Sequence, residues 1–158
     1  MSPLFRSLAA LCVVLLIIAC QQPAVGPLEG AWKFNEVSFT STDTSCTDTD
    51  PQPSLYIFLK RHYSTVFVLG SEPRELFSEH WTDAERLAAY DNFIANSGTY
   101  ELSDSTLTVR PSVAKVPNAM SGESFRYTYR LEGDTLRLIL SEAWAQGAEV
   151  RYTLVRVE

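Results

Sequence analysis

From Leu28 to the C-terminus, apolar positions recur in short runs with a period of two, separated by clusters of turn residues. Strands with one buried face read this way, and the runs predict an all-β domain of about eight antiparallel strands. The clearest run is FRYTYRLEGDTLRLIL. A two-residue loop at Gly133-Asp134 sets Leu131 opposite Leu136, Tyr129 opposite Leu138 and Tyr127 opposite Leu140, so every apolar side chain falls on one face. The same register brings Arg130 opposite Arg137, an unfavourable pair unless an acid lies nearby. YELSDSTLTV follows the same frame: a loop at Asp104-Ser105 sets Leu102 opposite Leu107 and Tyr100 opposite Val109.

A third hairpin, SLYIFLKRHYSTVFVLG, is expected to turn near Arg61-His62. Both of its faces are apolar, with Leu55, Ile57, Val66 and Val68 on one and Tyr56, Phe58 and Phe67 on the other. Such a hairpin calls for cover on its second face. The segment TDAERLAAYDNFIANSG supplies a candidate: Thr82 and Glu85 have capping-box spacing, and Leu87, Tyr90 and Ile94 form a helical stripe. One mid-chain helix is therefore predicted over residues 83–95, laid against the sheet or across its end. In AWKFNEVSF, Trp32 and Phe34 share a face, as do Val37 and Phe39, and the odd step between the pairs indicates a bulge. TSTDTSCTDTDPQP reads as a polar loop, PSVAKVPNAMSG as a Pro-interrupted connection and EVRYTLVRV as the last strand. Eight antiparallel strands favour an up-and-down barrel, because closure removes the edges. A barrel of that size is filled by side chains or holds one small ligand.

The first 19 residues do not belong to this pattern. A single charge, Arg6, precedes an apolar run from Leu8 to Ala19 that is too short to cross a bilayer as a helix. Ile17-Ile18-Ala19-Cys20 resembles the lipobox of bacterial lipoproteins, which implies cleavage before Cys20 and acylation of its thiol. An ordinary signal peptide or an uncleaved anchor is the alternative. The expected organisation is a leader (1–19), a Pro/Gly/Gln tether (20–27) and a barrel (28–158). In the Gram-negative sorting pattern, Gln21 after the cysteine favours the outer membrane. Loss of Arg6 with the leader moves the net charge from −6 to −7. An acidic domain without clustered basic residues argues against nucleic acid and anionic lipid surfaces as partners. Cys46 then has no intrachain partner.

Gly30-Ala31-Trp32 looks like the Gly-x-Trp signature of lipocalins. Together with LYIFLKRHYS, ANSGTYELSDSTLTVRP, YRLEGDTLRL and YTLVRVE, it makes the chain resemble bacterial lipocalin-like domain proteins over nearly all of residues 28–158. The resemblance implies a calyx-like barrel with Trp32 packed at the closed end and Arg156 laid across its indole. It departs from the family in three ways: there is no Thr-Asp-Tyr turn, the helix sits mid-chain, and no disulfide is available.

Candidate chemistry is sparse. His62 and His80 lack ligand spacing with any Cys or acidic cluster, so no metal is expected. Phe77-Ser78-Glu79-His80-Trp81 holds Ser, Glu and His, but adjacency in sequence is not the geometry of a nucleophile. No phosphate-cradling Gly-rich loop is present and no cofactor is implied. What remains is a supply of strand aromatics, Tyr56, Phe58, Phe67, Tyr100, Phe125, Tyr127 and Tyr129, which either line a cavity or pack as core. The sequence is therefore read as a non-catalytic, lipid-anchored envelope protein that binds a small hydrophobic or amphipathic ligand. A partner-binding lipoprotein with a filled barrel is the first alternative. An enzyme on the same barrel is the second, and it would need acid and base groups in the lumen.

Overall fold

Period-two runs become strands in the computed structural model, which describes residues 26–140 and 147–158. The leader and Cys20 lie outside the described residues. In chain order the elements are β1 (Gly30–Thr40), β2 (Ser45–Asp48), β3 (Ser54–Leu59), β4 (His62–Val68), α1 (Asp83–Asp91), β5 (Phe93–Ser103), β6 (Thr106–Ala114), a short 3-10 turn (Pro117–Met120), β7 (Phe125–Glu132), β8 (Thr135–Leu140) and β9 (Glu149–Arg156). From β3 onward each strand pairs antiparallel with the next, and β9 returns to β1. Eight strands thus close a ring, with β2 attached outside it. Closure leaves the ring without a free edge to pair with another chain.

Strand β1 makes the closure possible by serving three partners. Trp32–Thr40 runs beside β9 on one edge; on the other, Gly30–Trp32 pairs with β3 and Val37–Thr40 with β2. Its register against β9 shifts between Phe34 and Glu36, where the sequence pattern had an odd step. Both two-residue hairpins adopt the expected registers. The repulsion expected between Arg130 and Arg137 is relieved by Glu132. Its carboxylate lies 2.7 Å from Arg130 and also pairs with Arg137, and those two partners, Arg137 first, hold its pKa below the ordinary carboxylate value.

Four expectations are corrected. The β3–β4 turn is Lys60-Arg61, not Arg61-His62, because Leu59 pairs with His62 and Lys60 takes the positive φ of 46°. The polar stretch after β1 contains β2, an edge strand held by its backbone ladder. The helix starts as expected, with a complete capping box between Thr82 and Glu85, but ends at Asp91. Phe93 and Ile94 belong to β5, paired with Val68 and Phe67. Nor does α1 cover the sheet: it buries no residue, and Leu87 remains 60% exposed. The outer face of the β3–β4 hairpin stays open at Leu55 and Val66.

The strand ends divide the barrel into two unlike halves. Three two-residue turns, at Lys60-Arg61, Asp104-Ser105 and Gly133-Asp134, gather at one end with the start of β1 and the finish of β9. All the longer connections lie at the other. The short-turn end holds most of the fully buried core: Leu28, Trp32, Phe58, Leu107, Leu136 and Leu154. Leu138 and Leu140 carry it along β8 toward the other end.

Candidate functional site

The closed end is built around Trp32. Its indole N–H donates to the Leu28 carbonyl at 2.9 Å, satisfying a polar group that is otherwise fully buried. Arg156 returns on β9 with its guanidinium carbon 4.1 Å from the indole centroid. The same guanidinium donates to the carbonyls of Glu29 (2.5 Å) and Pro27 (3.2 Å) and to Asp134 (3.2 Å), tying the approaching chain to the β7–β8 turn. Gly30 is required here. Its φ is +132°, and a Cβ would meet Arg156 Nη1 at 2.8 Å as well as the Glu158 carbonyl. The Gly-Ala-Trp tripeptide is therefore a structural lock.

Above this floor the inward side chains change character. Phe58 and Tyr100, both expected from the sequence, belong to the sealed floor and meet edge-on at 5.0 Å. Tyr56 stacks on Phe58 at 4.5 Å and points the column upward. Phe67, Phe125, Tyr127 and Tyr129 are inward but only half-buried. Three lumen aromatics are not among the candidates drawn from the sequence, although Phe34 is placed there on the face of Trp32. Phe34 stacks on Tyr152 at 5.2 Å and meets Phe67 edge-on at 4.9 Å. Tyr63 stands 5.8 Å from Tyr56. Strand alternation from Trp32, from Phe67 and from Leu154 would have placed all three inside.

Four phenols face one another across the open half, Tyr56 and Tyr63 from β3–β4, Tyr127 and Tyr152 from β7 and β9. Burial raises the pKa of each, to about 12 for Tyr152; for Tyr56 and Tyr127 the neighbouring phenols add to it. Tyr127 and Tyr152 nevertheless keep exposed surface. Only Tyr63 has a protein partner among the described residues, donating to Asn96 Oδ1 at 2.6 Å. One further hydroxyl, Thr65 Oγ1, is enclosed without any partner.

The remaining candidates are scattered. His62 and His80 are exposed, and no cluster of His, Cys, Asp and Glu able to hold a metal occurs among the described residues. Ser78 bonds to Glu85 and to the His80 carbonyl, so the Ser-Glu-His run serves the start of α1. Cys46 is an exposed free thiol on β2. A cleft of about 490 Å³ lies in the wall where β1 changes partner, lined by Lys33, Phe34 and the loop 49–54. Its lining is mixed polar and apolar, and Phe34 joins it to the facing phenols by stacking on Tyr152.

A family model described as a lipocalin-like domain matches residues 29–156, from the Glu29 carbonyl held by Arg156 to Arg156 itself. The chain belongs to the lipocalin-like domain family. Among solved structures, a lipocalin-like protein from Bacteroides uniformis ATCC 8492 is 16% identical. That match covers 83% of this chain and 99% of that one, with a TM-score of 0.45. An uncharacterized protein from Bacteroides eggerthii DSM 20697 is 12% identical, covering 82% and 98%, with a TM-score of 0.44. No curated protein matches.

Proposed function

We propose that this protein is a non-catalytic carrier of the bacterial envelope, holding a small hydrophobic or amphipathic ligand in the open half of its barrel. The observation that carries this reading is the ring of inward, half-buried aromatics above a sealed floor. Apolar walls with a few polar groups are the ordinary makeup of a ligand pocket. Catalysis has little to work with, since the inward positions of the described strands around the phenols carry no carboxylate, imidazole or thiol. Acyl chains on Cys20 would tether the barrel through residues 20–27 to the membrane, with the outer membrane as the expected address. More than one chain gives stable attachment.

Native mass spectrometry of the purified protein tests carriage. A co-purifying small molecule, or adduct formation after exposure to hydrophobic metabolites, is expected; a bare apo mass throughout would refute it. Cys20→Ser should move the protein out of the membrane fraction, and retention there would refute the anchor. The partner-binding reading has its own support in the uncovered apolar side chains Leu55, Val66 and Val113 on the outer wall. Persistent apo mass together with a stable protein complex would favour it.

A further inference from the structure

Resting on the carrier reading, the polar groups of the lumen narrow the ligand's chemistry. Thr65 lies directly between Tyr56 on β3 and Asn96 on β5, each its cross-strand partner. Its hydroxyl is buried without a hydrogen bond, on a side chain only 5% exposed. An enclosed hydroxyl with no partner is costly, and native proteins rarely keep one without a use. On the same wall the Tyr56 phenol also lacks a partner, and opposite it so do those of Tyr127 and Tyr152. The lumen therefore holds donors and acceptors on two facing walls that the protein itself leaves unused.

Charge is arranged in the opposite sense. The cations on the strands around this lumen sit at exposed positions of the strand alternation: Arg151 pairs with Glu149, Arg137 and Arg130 with Glu132, and Arg110 with Glu101, while Lys33 and Arg126 are exposed to solvent. A carboxylate or phosphate entering the phenol belt would lose its hydration and find no counter-ion. An ammonium would meet phenols whose pKa burial has raised, and therefore no anion. The facing rings of Phe67, Tyr127 and Tyr152 offer flat apolar surface. We infer that the open half of the barrel is built for an uncharged ring compound bearing hydroxyl or carbonyl groups, met by the Tyr56–Thr65–Asn96 row on one wall and by Tyr127 and Tyr152 on the other.

Three probes of one size separate the possibilities: 2-naphthol, 2-naphthoate and naphthalene, titrated into the purified protein near neutral pH. The expected order is naphthol first, by about tenfold over either other probe, as a site with unused hydrogen-bonding groups requires. Thr65→Val and Tyr152→Phe should each collapse the preference of naphthol over naphthalene. Thr65→Val should also leave the melting temperature unchanged or raise it, because it removes an unpaired buried hydroxyl. Naphthoate binding as tightly as naphthol, or variants that keep the full preference, would overturn the inference while carriage stands. Failure of all three probes to bind would overturn it, and a bare apo mass in the native spectrum would then take the carrier reading with it.

Discussion

The two halves of this barrel are made from the same kind of strand and reach different ends. At the short-turn end, Trp32, Phe58, Leu107, Leu136 and Leu154 interdigitate until nothing is exposed, and every buried polar atom of the lock has a partner. At the long-loop end, Phe67, Phe125, Tyr127, Tyr129 and Tyr152 keep exposed surface, and among the described residues the Tyr127 and Tyr152 hydroxyls have no partner. Packing that maximises stability and a lumen that receives a guest are competing uses of inward positions. Here the strands divide them lengthwise.

That division sets the scale of perturbations. Trp32→Ala removes the floor's largest side chain, its hydrogen bond and its cation–π partner; a loss of about 3–5 kcal/mol is expected by urea denaturation. A near-neutral result would break the distinction between floor and lumen. Alkali probes the other half. The unfolded chain releases tyrosine protons near pH 10.0, whereas the folded lumen keeps them, to about pH 12 for Tyr152. Stability is therefore complete below pH 10.0 and drains as pH rises through the folded pKa, by about 1.4 kcal/mol per pH unit for each retained proton. Urea midpoints compared at about pH 9 and about pH 11 should fall steeply for the wild type and less for Tyr152→Phe. Equal slopes would remove Tyr152 from the desolvated belt.

Smaller effects sharpen the contrast. Arg156→Met keeps the stem over the indole and deletes the charge and its donors, so about 1–2 kcal/mol should be lost. At the helix, Leu87→Ser should change stability by less than about 0.5 kcal/mol, because α1 buries nothing. A larger loss would mean that α1 covers the sheet after all.

Most of the closed end was legible in the sequence because its signals are local. A two-residue turn fixes register, so Gly133-Asp134 dictated every cross-strand pair in its hairpin and Asp104-Ser105 those out to Gly98 with Pro111, where a bulge shifts the ladder. Gly30, Trp32 and Arg156 were legible through the family resemblance, and the close approach at Gly30 explains the first of them. The open end was less legible for identifiable reasons. Hydrophobic alternation reports burial, not backbone pairing, so β2, a polar edge strand, left no trace. Ile94 fits a helical stripe as well as a strand, and the ladder to Phe67 decided between them. Thr65 carries no motif at all; only closure of the ring makes its hydroxyl an unpaired group.

The central claim is that the open half admits a guest and the floor does not. Fluorescence titration with the apolar probe N-phenyl-1-naphthylamine tests it directly, using the wild type beside Val37→Trp. Val37 packs on the cluster next to Tyr152 at the level of the lumen. The account predicts saturable binding to the wild type and its loss in Val37→Trp with the fold retained. No saturable binding to the wild type, or equal binding to Val37→Trp, would contradict it.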